Sequence, residues 1–130
     1  MITEEIRNSL KQADRELLIA QAELNRPHED VVTISACQSV RSSMKHMMHI
    51  YLLAHAVDNN EKMSIEELMD LCVKANKLFS GVDIANIECK GVGHENCDGK
   101  YCLSIENVSC CVTAANQLKD IMWKEFKVND

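Results

Sequence analysis

Apolar residues recur at three- and four-residue steps in four stretches of the chain and nowhere sustain an alternation of period two, so the pattern predicts helices and no sheet. Ile6, Leu10, Ala13, Leu17, Ala20 and Leu24 mark one face of a first helix. Thr3 stands at its N-cap position, with Glu4 and Glu5 in the first turn, where negative charge meets the positive end of the helix dipole. The segment from Val31 to Val57 forms a second helix with Val40, Met44, Met47, Ile50, Tyr51 and Ala54 on one arc. Ser64, followed three residues later by Glu67, is a capping-box signature that opens a third helix running to about Phe79. A last helix runs from Ser104 to about Lys127 and is apolar at Ile105, Val108, Val112, Ala115, Leu118, Ile121 and Met122.

Helix breakers fall between these stretches. The only proline is Pro27, and all four glycines (Gly81, Gly91, Gly93, Gly99) lie between positions 81 and 99. Asn25 to Asp30 and Asp58 to Glu61 read as turns, Ser80-Gly81 as the stop of the third helix, and Val82 to Ile87 as a short helical turn. Glu88 to about Leu103 is irregular. The expected fold is an all-α, up-and-down bundle of four main helices with one irregular loop rich in glycine and cysteine. It forms a single domain over residues 1–130.

Charge changes the picture at the second helix. Between Val31 and Val57 there is no aspartate or glutamate, although 20 of the 130 residues are acidic. At about 100° per residue, Gln38, Arg41, Ser42, Lys45, His46 and His49 share one polar arc about 140° wide, with Ser35 in the same arc. The chain has net charge −6, so with Arg41 and Lys45 giving this segment +2, the remainder carries −8. The acidity of the whole chain argues against non-specific duplex binding but not against a small phosphorylated ligand, a few nucleotides of RNA, or an acidic partner held in one groove. The competing reading is a solvated or dimer-packed helix face, because long cationic side chains commonly cover such faces.

The remaining composition bounds the setting. No stretch of about 18 uncharged apolar residues occurs, so no membrane span is expected. The N-terminus lacks the apolar run of a signal peptide, and the seven cysteines, odd in number with Cys110 and Cys111 adjacent, read as reduced thiols in a cytoplasmic protein. Cys89, His94, Cys97 and Cys102, spaced Cys-x4-His-x2-Cys-x4-Cys, supply four soft ligands in a glycine-rich loop, which raises structural zinc and a zinc-organised interaction module. Against zinc, the loop contains only one two-residue spacing and no paired Cys-x2-Cys knuckle. No other cofactor is expected. His46 and His49, three apart, offer a second metal pair, but no carboxylate accompanies them in the helix. Ser42 and His46, four apart, permit a hydroxyl-to-imidazole contact without a recognisable third group or oxyanion loop, which argues against a serine hydrolase.

The run from Ala36 through Met48, continuing to Tyr51-Leu52-Leu53, resembles the long second helix of HEPN domains, small all-α domains found beside or near nucleotidyltransferases. In the same order, Ser64-Ile65-Glu66-Glu67-Leu68 resembles the start of that family's next helix. Tyr101 to Val108, followed by Ala114 and Ala115, resembles the loop-to-helix entry of its last. The resemblance implies an up-and-down bundle, usually homodimeric, that binds nucleotides or RNA or pairs with a nucleotidyltransferase protein, as in toxin–antitoxin pairs.

Some members of that family are metal-independent ribonucleases. They use an Arg and a His four to six residues apart near the end of a late helix, often with an aromatic residue two places after the His. Arg41 and His46 have the spacing. They depart from the pattern in lying within the second helix, in having Met48 two places after the His, and in a five-residue step that sets the side chains about 140° apart. The chain has no arginine after Arg41 to supply a second such pair. The sequence therefore favours a binding or partner module acting through Gln38, Arg41, Ser42, Lys45, His46 and His49, with a toxin-like ribonuclease using Arg41 and His46 as the alternative.

Overall fold

The computed structural model describes residues 4–27, 29, 31–84 and 104–128. They form an all-α helical bundle: α1 (Glu4–Leu24), α2 (Thr33–Ala54), α3 (Ile65–Ala75), a 3-10 turn (Lys77–Gly81) and α4 (Ile105–Glu125), with no strand among the described residues. The central helix is α2. It lies antiparallel to α1, as the pairings of Ser43 with Ala13 and of Val32 with Glu23 require, and packs on its other sides against α3 and α4.

Periodicity explains which faces are buried. Leu10, Ala13, Leu17 and Ala20 of α1 are all at most 1% exposed, and Val40, Met44, Met47 and Tyr51 of α2 close over them together with Leu118 and Met122 of α4. Tyr51 is the hinge of this core. Its ring meets Phe79 edge-on at 4.7 Å and Phe126 at 6.2 Å and stacks on His55 at 4.3 Å, so one side chain joins α2 to the 3-10 turn and to the end of α4. Burial pushes the Tyr51 hydroxyl above the ordinary tyrosine range, an effect partly offset by its hydrogen bond with Asn76. The α1–α4 seam is held by Asp14 and Lys119, whose ion pair is 2.8 Å long, with the Lys119 ammonium 5.2 Å from the Trp123 ring centre.

The helix ends follow capping chemistry. Ser64 and Glu67 form the expected reciprocal box, with bonds of 3.0 and 3.1 Å, and Ser104 accepts from the Asn107 N–H at 3.0 Å to start α4. Both α2 and α4 end without glycine. Val57 N–H reaches Leu52 O at 2.8 Å and Ala56 N–H reaches Leu53 O, with Ala56 at φ 56°. Val128 N–H reaches Trp123 O at 3.0 Å, with Lys127 at φ 53°. These are Schellman closures in which a residue with a Cβ occupies the left-handed position that glycine favours.

Three expectations are corrected. The third helix stops at Ala75 rather than Phe79: Asn76 adopts extended backbone (φ −156°, ψ 118°) and its side chain accepts from the Leu78 N–H, which breaks the α-helix and begins the 3-10 turn that buries Phe79. Ala54, assigned to the apolar arc, is exposed because the last turn of α2 runs past the core. Val82 to Ile84 continue no helix; Val82 is extended and buried, and Asp83 N–H is held by Gln117 Oε1 at 3.2 Å. The Thr3 cap, residues 85–87 of the expected short turn and the irregular segment to Leu103 lie outside the described residues.

Candidate functional site

The polar arc of α2 is one wall of an open cleft of about 480 Å³, lined by Gln38, Arg41, Ser42, Lys45, His46, His49 and Glu61. All six residues singled out in the sequence thus line one depression. Glu61 joins them from the α2–α3 turn. The arrangement follows from the helix itself: successive members lie about one turn apart, roughly 6 Å along the axis, while the opposite arc is anchored in the core and cannot rotate.

An acid, an amide and a backbone carbonyl from neighbouring segments meet this basic arc. Glu16 of α1 takes a fork of two hydrogen bonds, accepting from the Ser42 hydroxyl on one oxygen and from His46 Nδ1 on the other, the latter at 3.1 Å. Ser42 and His46 are therefore both turned toward the same carboxylate. The hydroxyl-to-imidazole contact that their spacing permits is not formed, because the Ser42 hydroxyl is committed to the carboxylate. On the far side, His49 Nδ1 is bonded to Asn59 Oδ1, and the Asn59 amide is itself oriented by its Nδ2–H donating to Val57 O at 2.9 Å. Lys45 Nζ donates to the Glu61 backbone carbonyl at 3.4 Å.

A sequence signal for Glu16 existed. Glu5, Gln12, Glu16 and Glu23 recur at seven- and four-residue steps along one flank of α1, which makes a polar strip beside its apolar face. Glu16 meets Ser42 and His46, and Glu23 accepts from the Val32 N–H at 2.9 Å where α2 begins. Glu61 carried no such signal, because it enters the cleft through the path of the turn.

Arg41 and His46, despite their angular separation on the helix, line the same cleft. Among the described residues no group of three His, Cys, Asp or Glu side chains is arranged to hold a metal ion. Cys89, His94, Cys97 and Cys102, the candidate zinc ligands, lie outside the described residues. Of the other cysteines, Cys37, Cys72 and Cys111 are buried and Cys110 partly so; burial pushes the Cys72 thiol up to about 12, which keeps it protonated and unreactive at neutral pH. No helix among the described residues is long and apolar enough to cross a membrane.

The class that fold and cleft define is an all-α helical bundle carrying a groove on its central helix lined by two cations, two imidazoles and the acidic Glu61. Comparison with protein-family models, with curated proteins and with solved structures finds no match.

Proposed function

We propose that the α2 cleft binds a phosphate-bearing ligand, a nucleotide or a short stretch of RNA, in a HEPN-like module that works through binding or by pairing with a nucleotidyltransferase protein. The observation that carries this reading is the convergence of Arg41, Lys45, His46 and His49, with the hydrogen-bonding groups of Gln38 and Ser42, on one concave surface of an acidic chain. Arginine and lysine hold phosphate oxygens through charge-assisted bonds, and the acidity of the rest of the chain restricts such binding to this groove. A HEPN-like homodimer through the long helices is supported by the outward face of α1, where Leu18 and Ile19 are 52% and 60% exposed. Leu18→Asp with Ile19→Asp yields a monomer by sedimentation on this reading.

A thermal-shift screen against nucleotides and short RNAs tests the binding function. A ligand that raises Tm for the native chain and leaves Arg41→Ala/Lys45→Ala unmoved is the expected result. Silence for every ligand, or a shift that survives in the double variant, overturns it.

The ribonuclease reading is favoured by one specific observation. Arg41 and His46 share the cleft, and a carboxylate bonded to Nδ1 holds the imidazole in one orientation, as a general base requires. Cleavage of mixed RNA that disappears in both Arg41→Ala and His46→Ala is its signature, and no cleavage across metal and pH conditions removes it.

A further inference from the structure

The two histidines of the cleft are held in a matched way that the basic arc alone does not require. Glu16, an acceptor only, faces His46 Nδ1 at 3.1 Å. Asn59 presents its oxygen to His49 Nδ1, because its amide nitrogen is committed to Val57 O. In each case Nδ1 must carry the hydrogen, so the lone pair of the neutral ring resides on Nε2. An incoming proton therefore adds at Nε2 of either ring, and it converts that nitrogen from an acceptor, which repels a phosphate oxygen, into a charged donor that binds one.

Resting on the proposed phosphate-binding role of this cleft, we infer that Glu16 and Asn59 are positioning residues that make it a proton-coupled site for the phosphodiester backbone of single-stranded RNA. Binding draws protons from solvent onto Nε2 of His46 and His49, where each N–H donates to a phosphate oxygen. The extended ligand follows from the layout: Arg41, Lys45 and His49 succeed one another at one-turn steps over about 12 Å, which suits a run of phosphates along α2 better than one phosphate group. Among the described residues the lining has no Phe, Tyr or Trp, which suits recognition of backbone better than of stacked bases. Among the described residues the charged groups beside the two rings are Glu16 of α1, bonded to His46, and Arg41, Lys45 and Glu61, which share the cleft lining; α3 and α4 add none to it.

The test is isothermal titration of the full chain with hexauridylate, whose phosphodiesters do not titrate near neutral pH, in buffers of different ionisation enthalpy. The expected result is net proton uptake on binding, with affinity rising as pH falls by up to about tenfold per pH unit for each proton taken up. His46→Asn/His49→Asn abolishes the uptake. Glu16→Ala and Asn59→Ala, which release the rings from their fixed Nδ1 contacts, reduce the uptake, a change that a merely structural role for these residues does not produce. Hexauridylate binding with no proton uptake, or uptake unchanged in Glu16→Ala and Asn59→Ala, overturns the inference while leaving the binding function standing. Stabilisation by a mononucleotide with no hexauridylate binding has the same outcome. Absence of both kinds of binding overturns the two together.

Discussion

The two faces of α2 are built from opposite chemistries on one backbone. The inward face places Val40, Met44, Met47, Met48 and Tyr51 in a core where every one of them is at most 1% exposed. The outward face spends three turns on Arg41, Ser42, Lys45, His46 and His49, all at least partly exposed, and matches them with an acid from α1 and an amide from the following turn. The inner face holds the helix in place, and the outer face uses that placement. Burial energy scales with apolar area removed from water, whereas exposed polar contacts contribute little to stability. The comparison therefore teaches that stability and function separate by side of a single helix.

The largest effect that sharpens this contrast is expected at Tyr51. Tyr51→Ala removes the ring that joins α2 to Phe79, Phe126 and His55 and should cost about 3–5 kcal/mol, read as a fall in urea midpoint without loss of helical signal in the folded fraction. The same change on the outer face should be nearly silent, and a loss at Arg41→Ala as large as at Tyr51 would break the contrast.

A pH experiment probes the buried side next. The Cys72 thiol moves from 9.0 to about 12 on burial, so the unfolded chain loses its proton first as pH rises. Stability contributed by the protonated thiol is complete below about pH 9 and is lost between about pH 9 and about 12, at roughly 1.4 kcal/mol per pH unit at most. Tyr51 is shifted in the same direction by its own burial. Cys72→Ala should flatten the alkaline slope, measured as urea midpoint against pH, whatever it costs at neutral pH.

A smaller effect lies where the two faces meet at the end of α2. Ala56 sits at φ 56° in a Schellman closure. Ala56→Gly relieves the Cβ strain and should raise stability by about 0.5–1 kcal/mol, visible as a higher Tm. Smallest of all, Arg41→Ala/Lys45→Ala should change unfolding free energy by no more than about 0.5 kcal/mol while it abolishes ligand-induced stabilisation.

Much of this was legible in the chain because period and punctuation are local properties. The faces of α1 and α4, the Ser64–Glu67 box and the polar arc of α2 follow from spacing alone, and the six arc residues line the cleft together. What could not be read is set by tertiary contact. Asn76 breaks α3 because its side chain serves Leu78 and its turn delivers Phe79 to Tyr51. The polar strip of α1 was visible in its spacing, but that Glu16 meets His46 across 30 residues, and Asn59 meets His49 across 10, is set by how the segments pack. The closures at Ala56 and Lys127 lack the glycine that usually announces them, since only the folded backbone defines those angles.

The most direct test of the central claim, that the outer face of α2 is a phosphate-binding surface, is a protein-detected NMR titration of the isotopically labelled full chain with hexauridylate. Saturable shifts confined to Gln38 through His49, with Asn59 and Glu61, and including the His46 and His49 imidazoles, are the predicted result. Shifts centred elsewhere, for instance on the second groove formed by Glu5, Ile6, Ser9, Ile50, Leu53 and Ala54, would contradict it, as would a spectrum that hexauridylate leaves unchanged.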